Sequence, residues 1–318
     1  MKVRRVTTDG VRGLADRAYD FTHRRSTAAA AVVVVTGPSG SGKTSLLDAI
    51  AAAKEDIAPW GVRHSWSKVV RAGASAAKIR LEWEIDDDDR RRLGFDEGVV
   101  TSESIFSPTT PPGHGYDPRL QSLLARYDHD PAHGKVEYFF AERTLAAEAI
   151  GLSVLDPSIQ KRVRLDRDIR KYGALHKYLL ELHLGLHERS GEPSGQERFA
   201  ATFAKVCPAR RVLGLQRMGD RTELAFDGGA DGAIPLARLP HGEQQAALFA
   251  GTFEMLGLNR SLVLVDGPEL HQTAAAAATF ARAVAGLGVD NQVVFATGAS
   301  AIGEAFDEGV TIDLGAGR

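Results

Sequence analysis

Four consecutive valines, at positions 32–35, run directly into a glycine-rich loop and then into a helical pattern. An uninterrupted apolar run of this kind is typical of a strand buried on both faces of a parallel sheet. The loop that follows has a fixed spacing and consists of Gly37, Pro38, Ser39, Gly40, Ser41, Gly42, Lys43 and Thr44. This strand, loop and helix restrict the chain to α/β folds in which the loop surrounds a phosphate chain.

Each part of the loop has a mechanical task. Gly37, Gly40 and Gly42 permit backbone conformations that turn successive N–H groups toward phosphate oxygens. The Lys43 ammonium reaches the β- and γ-phosphates, and the Thr44 hydroxyl is a ligand for Mg²⁺. We therefore predict a site for ATP and Mg²⁺ formed by the eight loop residues and Ser45, with Lys43 also as a catalytic group. GTP is disfavoured because the sequence contains no Asn-Lys-x-Asp motif.

A second apolar run, at positions 262–265, ends in Asp266, as the Walker B motif requires. The glycine loop at 37–44 has the spacing of a P-loop. A carboxylate at the end of the strand next to the P-loop strand would bind the coordination shell of Mg²⁺. A hydrophobic strand that ends in an aspartate is common on its own. The P-loop upstream is what favours a metal-binding role for Asp266.

The segment from Leu239 to Gln245 reads Leu-Pro-His-Gly-Glu-Gln-Gln and resembles the signature motif of ABC-type ATPases. It is expected to form a loop that opens a helix at positions 244–256, whose N–H groups and dipole can cap a γ-phosphate. In that family the motif binds the nucleotide of the opposite subunit. The resemblance implies that His241, Gly242, Glu243 and Gln244 bind ATP in this way. The alternative interpretation is an ordinary helix N-terminus with a polar cap.

With these motifs in this order, the chain resembles the ABC-type ATPases of the SMC, RecF and OLD-like group. Positions 36–50 follow that group's P-loop segment closely, and Val-Asp-Gly-Pro-Glu-Leu-His at 265–271 resembles its "IDEPELH". Val-Arg-Gly-Leu at 11–14 looks like its N-terminal motif, which implies that Arg12 contacts the nucleotide. Tyr-Phe-Phe-Ala-Glu-Arg at 138–143 is similar to a segment of the OLD-like members.

Two positions depart from that family's pattern. Gly267 stands where a catalytic glutamate follows the Walker B aspartate, and Gly298 stands where the switch histidine is expected. A glycine can neither polarise the attacking water nor contact the γ-phosphate. Glu269 and His271 are the remaining candidates for a catalytic group, although Glu269 also fits a structural role in the turn. We expect hydrolysis of ATP to ADP and phosphate to be slow or absent.

The expected architecture is a P-loop NTPase of the α/β class, an ABC-type ATPase head. Its parts are an antiparallel N-terminal sheet, a central, mostly parallel sheet and a helical lobe. Residues 1–155 would form the first half of the core, residues 156–245 the lobe that ends in the signature motif, and residues 246–318 the second half of the core.

The resemblance implies a nucleotide switch that dimerises head to head on ATP·Mg²⁺ and acts in DNA maintenance or phage defence. The partner would be a second copy or a homologous head, together with an effector protein, and DNA is a further candidate ligand. The net charge of −2 provides no global basic field for nucleic acid. Two alternatives remain, a regulatory subunit that binds ATP without turnover and the ATPase subunit of a transporter.

Other features of the sequence carry less information. The single cysteine, Cys207, excludes an intramolecular disulfide and fits the cytoplasm. The longest apolar run, at positions 28–35, is too short to span a bilayer and leads into the loop without a cleavage pattern, so no membrane insertion is expected.

Three charge and histidine patterns each fit an ordinary structural role. The acidic run at positions 86–89 is expected at an exposed hairpin tip. A helical pattern near positions 159–175 would give a basic face, which is either solvated or in contact with a phosphate backbone; its members are Arg164, Arg167 and Lys171. Three histidines have helical spacing, typical of an ordinary helix face rather than zinc ligands; they are His176, His183 and His187.

Overall fold

The centre of the molecule is a parallel sheet of five strands, in the order β13–β3–β12–β11–β7. The computed structural model describes residues 1–23, 25–59, 64–108, 113–125, 135–145, 165, 167–188 and 190–315. The strands of the parallel sheet are β3 (Val32–Thr36), β7 (Val136–Phe139), β11 (Leu262–Asp266), β12 (Gln292–Ala296) and β13 (Val310–Asp313). Every residue of β7, β11 and β12 is buried, which agrees with their mainly apolar sequences.

A second sheet of five antiparallel strands, in the order β2–β1–β4–β5–β6, forms from the N-terminal part of the chain. Its strands are β1 (Lys2–Asp9), β2 (Arg17–Asp20), β4 (Ala77–Glu84), β5 (Val99–Phe106) and β6 (Gly113–Gly115). The buried amide of Gln292 on β12 joins the two sheets. It accepts from the N–H of Val3 at 2.7 Å and donates to the Val3 carbonyl at 2.8 Å.

Nine α-helices lie in the described part of the chain. They are α1 (Lys43–Ile57), α2 (Trp66–Val69), α3 (Asp87–Leu93), α4 (Pro118–Ala125), α5 (Gly173–His183), α6 (Gly195–Val206), α7 (His241–Leu256), α8 (Ala274–Ala285) and α9 (Ser300–Gly303). Helix α1 contacts strands of both sheets. None of these described helices is long and apolar enough to cross a membrane.

The region expected to be a helical lobe contains both helices and strands. Besides α5 and α6, the described part of residues 156–245 contains a three-stranded antiparallel sheet. Its strands are β8 (Val212–Met218), β9 (Arg221–Asp227) and β10 (Ala233–Pro235). Helices α5 and α6 contact this sheet, and both also pack on α7.

The acidic run lies in the connection between the antiparallel strands β4 and β5, as expected of an exposed hairpin tip, but it forms a helix there. Asp86 caps α3, because its side chain accepts the N–H of Asp89 at 2.9 Å. Three aspartates occupy the first turn and three arginines the last turn. This arrangement complements the helix dipole at both ends, so the charge pattern itself stabilises the helix.

Candidate nucleotide-binding site

The glycine loop between β3 and α1 has backbone conformations that favour glycine at three positions. Gly37, Gly40 and Gly42 have φ values of 143°, 76° and 99°. A Cβ at Gly42 would lie 2.1 Å from the carbonyl oxygen of Gly13, so the N-terminal hairpin leaves no room for a side chain there. No side chain caps the N-terminus of α1, and its first N–H groups are therefore available to an anion.

The Lys43 side chain folds back over the loop. Its ammonium donates to the carbonyl oxygens of Gly37 at 2.7 Å and Pro38 at 2.8 Å. Ser41 is buried, and its hydroxyl oxygen has no hydrogen-bond partner among the described residues. A cation held across a glycine loop, beside an uncapped helix N-terminus, is suited to binding a phosphate chain.

The Thr44 hydroxyl donates a hydrogen bond of 2.8 Å to the carboxylate of Asp266, at the end of β11. Burial raises the pKa of Asp266, while the Thr44 hydrogen bond and the charge of Arg167 act in the opposite direction. Two adjacent hard oxygen donors, one of them anionic and only 7% exposed, fit the requirements of Mg²⁺.

One detail of the expected geometry is wrong. The strand that carries Asp266 is not the neighbour of the P-loop strand, because β12 lies between β3 and β11. Helix α1 contacts both β12 and β11, and its first turn therefore brings Thr44 to the end of the more distant strand.

The turn after Asp266 is built without a side chain at its first position. Gly267 has φ 61°, and a Cβ there would lie 2.7 Å from the Leu270 Cδ1 atom. Its N–H donates to the Ala296 carbonyl at the end of β12. A glutamate at this position would need a strained backbone and a displaced Leu270 side chain.

Glu269 connects this turn to the loop after β12. Its carboxylate accepts from the Thr297 hydroxyl at 2.7 Å and from the N–H of Gly298 at 2.9 Å. The carboxylate thus occupies the loop in which the switch histidine was expected. The other candidate, His271, also has a left-handed backbone, with φ 65°, and its ring lies 5.3 Å from that of His241.

The signature segment opens α7 at His241, three residues earlier than the sequence indicates. No side chain caps this helix, and His241 is exposed. Glu243 pairs with Arg210 at 2.7 Å, and the Gln244 amide donates to the Leu239 carbonyl at 2.8 Å. These two contacts hold the first turn of the helix, while His241 at its start stays exposed to solvent.

Arg143 connects the turn after Asp266, called here the Walker B turn, with the end of β7 and with α7. Its guanidinium is buried and donates to the carbonyls of Phe140 (3.1 Å), Asp266 (2.6 Å) and Gly267 (2.8 Å). The carbonyl of Arg143 itself accepts from the Gln245 amide of α7 at 3.1 Å. The sequence pattern at 138–143 gave no role for this arginine.

A groove of about 470 Å³ begins at Thr44 and Ser45 and continues away from the loop. Residues of four described segments line it, including Arg12, Asp48, Lys68 and Arg167. Asp48 accepts from the buried hydroxyl of Tyr138 at 3.0 Å and pairs with Arg167 at 2.9 Å. Burial raises the pKa of Asp48, opposed by the charge of Arg167. Thr44, Ser45 and Arg12 were predicted as binding residues, and Arg167 only as part of a basic face. Asp48 lies one helical turn after Thr44, a spacing that could have indicated it.

The basic face is not formed by the residues that the structure describes. Arg164 lies outside them, Arg167 pairs with Asp48, and Lys171 is buried against Glu137 and the carbonyl of Tyr138. Arg167 is exposed and Lys171 is buried, so these two side chains do not share one solvated face.

The histidines and Cys207 behave as ordinary structural residues. The His183 ring donates to the carbonyl of Leu179, and the His187 ring contacts Glu181. No group of three residues that could hold a metal ion occurs among the residues placed by the structure. Cys207 is half-buried at the end of α6, and burial raises the pKa of its thiol.

Comparison with known proteins identifies the fold. No protein-family model matches the chain, and no curated protein matches it either. Solved SMC heads match over 96% of this chain. The SMC head domain from Thermotoga maritima is 14% identical, is covered over 93% and gives a TM-score of 0.52. An SMC head with an extended coiled coil from Pyrococcus furiosus, bound to the C-terminal domain of ScpA, is 13% identical, with 92% coverage and a TM-score of 0.58.

A further SMC head, bound to the C-terminal winged-helix domain of ScpA, is 14% identical, with 92% coverage and a TM-score of 0.58. At this identity the likeness establishes the fold, that of an SMC-type P-loop NTPase head.

Proposed function

We propose that the chain is an ABC-type ATPase head that binds ATP and Mg²⁺, dimerises head to head on binding, and acts as a nucleotide switch with slow or absent hydrolysis. The observation that carries this proposal is the contact between Thr44 and Asp266, which places a hydroxyl and a carboxylate together beside the glycine loop.

The phosphate chain of ATP binds across the loop and the N-terminus of α1. The Lys43 ammonium exchanges its contacts with loop carbonyls for contacts with the β- and γ-phosphates. Thr44 and Asp266 hold Mg²⁺, which neutralises phosphate charge when it is bound. Loop N–H groups near Thr44 and Ser45 hold the α-phosphate, so the groove that begins there accommodates the nucleoside.

Dimerisation is supported by the signature helix. The tip of α7 presents an uncapped N-terminus and the exposed His241 to solvent. A helix of 16 residues with an open N-terminus stabilises an anion placed at that end. We assign that anion to the γ-phosphate bound by a second head, a copy of this chain or a homologue. His241, Gly242, Glu243 and Gln244 then act in trans.

Slow or absent hydrolysis is supported by the two glycines and by Glu269. Gly267 has no group to activate water, and both oxygens of the Glu269 carboxylate are already bonded to the loop at Gly298. Binding energy would then stabilise the closed dimer instead of a rapid cycle. The same observations favour the second candidate, a regulatory subunit that holds ATP without turnover.

The cellular role that fits such a switch is DNA maintenance or phage defence. Two of the similar heads are bound to a domain of ScpA, which supports an effector protein as a partner of this chain. DNA is a further candidate ligand of the dimer.

The test is calorimetric titration of the full chain with ATP in Mg²⁺ and in EDTA. Binding that is tighter in Mg²⁺ supports the site, with Lys43→Ala as the variant that loses binding. The matched control is Lys177→Ala, which removes an exposed lysine outside the site. Equal binding by the wild-type chain and Lys43→Ala would refute the proposed function.

A further inference from the structure

Arg143 occupies the junction of three segments that the nucleotide site depends on. Its guanidinium donates to the Phe140 carbonyl just after β7 and to the Asp266 and Gly267 carbonyls at the end of β11. The Arg143 carbonyl accepts from the Gln245 amide of α7. The guanidinium also lies over the ring of Phe249, one turn further along α7, at 5.2 Å. A single residue therefore connects the Walker B turn with the signature helix.

Burial of the charged Arg143 guanidinium has a high desolvation cost. Only 1% of Arg143 is exposed, and burial lowers the pKa of its guanidinium. Neutral donors can satisfy carbonyls at a lower desolvation cost. The arginine offers something they do not, a rigid fork that fixes two consecutive carbonyls, of Asp266 and Gly267, at once. That fork sets the orientation of the peptide that carries the Asp266 side chain.

The junction between Arg143 and α7 contains two polar atoms that are not hydrogen-bonded to any described residue. The Arg143 Nε–H and the Gln245 Oε1 atom are both buried and have no hydrogen-bond partner among the described residues. These two buried polar atoms leave the junction incompletely satisfied in the described part of the chain.

We infer that Arg143 is a positioning residue that aims the Asp266 carboxylate at the metal site and couples that aim to α7. This inference rests on the proposed function. It adds that the signature helix adjusts metal-dependent nucleotide binding within its own chain, through Gln245 and Arg143.

The experiment compares ATP affinity in Mg²⁺ with ATP affinity in EDTA, for the full chain and three variants. Arg143→Met removes the fork, and Arg143→Lys keeps a charge without the fork. Gln245→Met removes the hydrogen bond from α7, while the guanidinium and its contact with Phe249 stay. Each is expected to reduce the gain in affinity that Mg²⁺ provides, by about 10- to 100-fold for the arginine variants, as for groups that orient metal ligands. Affinity in EDTA is expected to stay at the wild-type level.

The readout separates positioning from general stability. Equal losses in Mg²⁺ and in EDTA, or a full wild-type gain in the Gln245→Met variant, would overturn the inference. Gln245→Met decides the matter if the arginine variants do not fold. No ATP binding by the wild-type chain in either condition would refute the nucleotide site itself, and the inference with it.

Discussion

The Thr44 hydroxyl donates to the Asp266 carboxylate at 2.8 Å, across 222 positions of sequence. This contact joins α1 to the end of β11, which lies two places away from the P-loop strand β3 in the sheet. It brings the two predicted magnesium ligands together in a chain that shows only 13–14% identity to the SMC heads that share its fold.

Asp266→Asn is expected to stabilise the nucleotide-free chain and to weaken its binding of ATP·Mg²⁺ by more than about tenfold. Burial raises the pKa of Asp266 in the fold, so the folded state binds the proton more tightly than the unfolded state. The stability that this carboxyl contributes is complete below its unfolded pKa and is lost as pH rises through the folded value. Thermal denaturation across this pH range measures the effect. An asparagine variant that melts lower than wild type at neutral pH would contradict this account.

Glu269→Ala is expected to lower the free energy of unfolding by about 2 kcal/mol, because both of its carboxylate bonds are lost and the Thr297 hydroxyl loses its acceptor. Glu269→Gln keeps an acceptor and serves as the milder control. Denaturant unfolding measures both variants, and phosphate release is followed in parallel. A large loss of turnover in Glu269→Gln with unchanged stability would instead make Glu269 a catalytic group.

Gly267→Ala and Gly298→Ala form a matched pair. The first is expected to cost about 1–2 kcal/mol of stability, because φ is 61° and a Cβ would contact Leu270. The second is expected to change stability by less than about 0.5 kcal/mol, since the nearest atom to a Cβ there is 3.8 Å away. Chemical denaturation of both variants decides this. Equal costs would show that the turn at Gly267 is less constrained than described.

His241→Asp is expected to abolish ATP-dependent dimerisation without weakening ATP binding by the single chain. A carboxylate in the first turn of α7 stabilises the helix but repels a phosphate brought to its tip. The control is His241→Asn, which has nearly the same shape as the aspartate variant but no charge. It is expected to dimerise. Light scattering gives the mass, and calorimetry gives the affinity. A dimer of the aspartate variant would place the interface elsewhere.

The local parts of this site can be predicted from sequence because their geometry is encoded locally. The spacing of Gly37, Gly42, Lys43 and Thr44 specifies loop and helix together. The place of β11 in the sheet cannot be predicted in this way, since strand order depends on pairing between distant segments. Val99–Phe106 gives no clear strand signal because serine, threonine and glutamate fill much of it.

The contacts of Arg143, Asp48 and Glu269 belong to the same long-range class. Each side chain acts on backbone or side chains that are distant in sequence, at separations of 123, 90 and 28 positions. The sequence suggested a chemical type for Glu269 and a pattern around Arg143, but only the fold shows what they hold.

The measurement closest to the central claim is the mass of the chain in solution with and without ATP·Mg²⁺, with phosphate release followed in the same samples. The account predicts a dimer that forms with ATP·Mg²⁺, persists, and releases phosphate slowly or not at all. A chain that stays monomeric at saturating ATP·Mg²⁺, or one that releases phosphate over many rapid cycles, would contradict it.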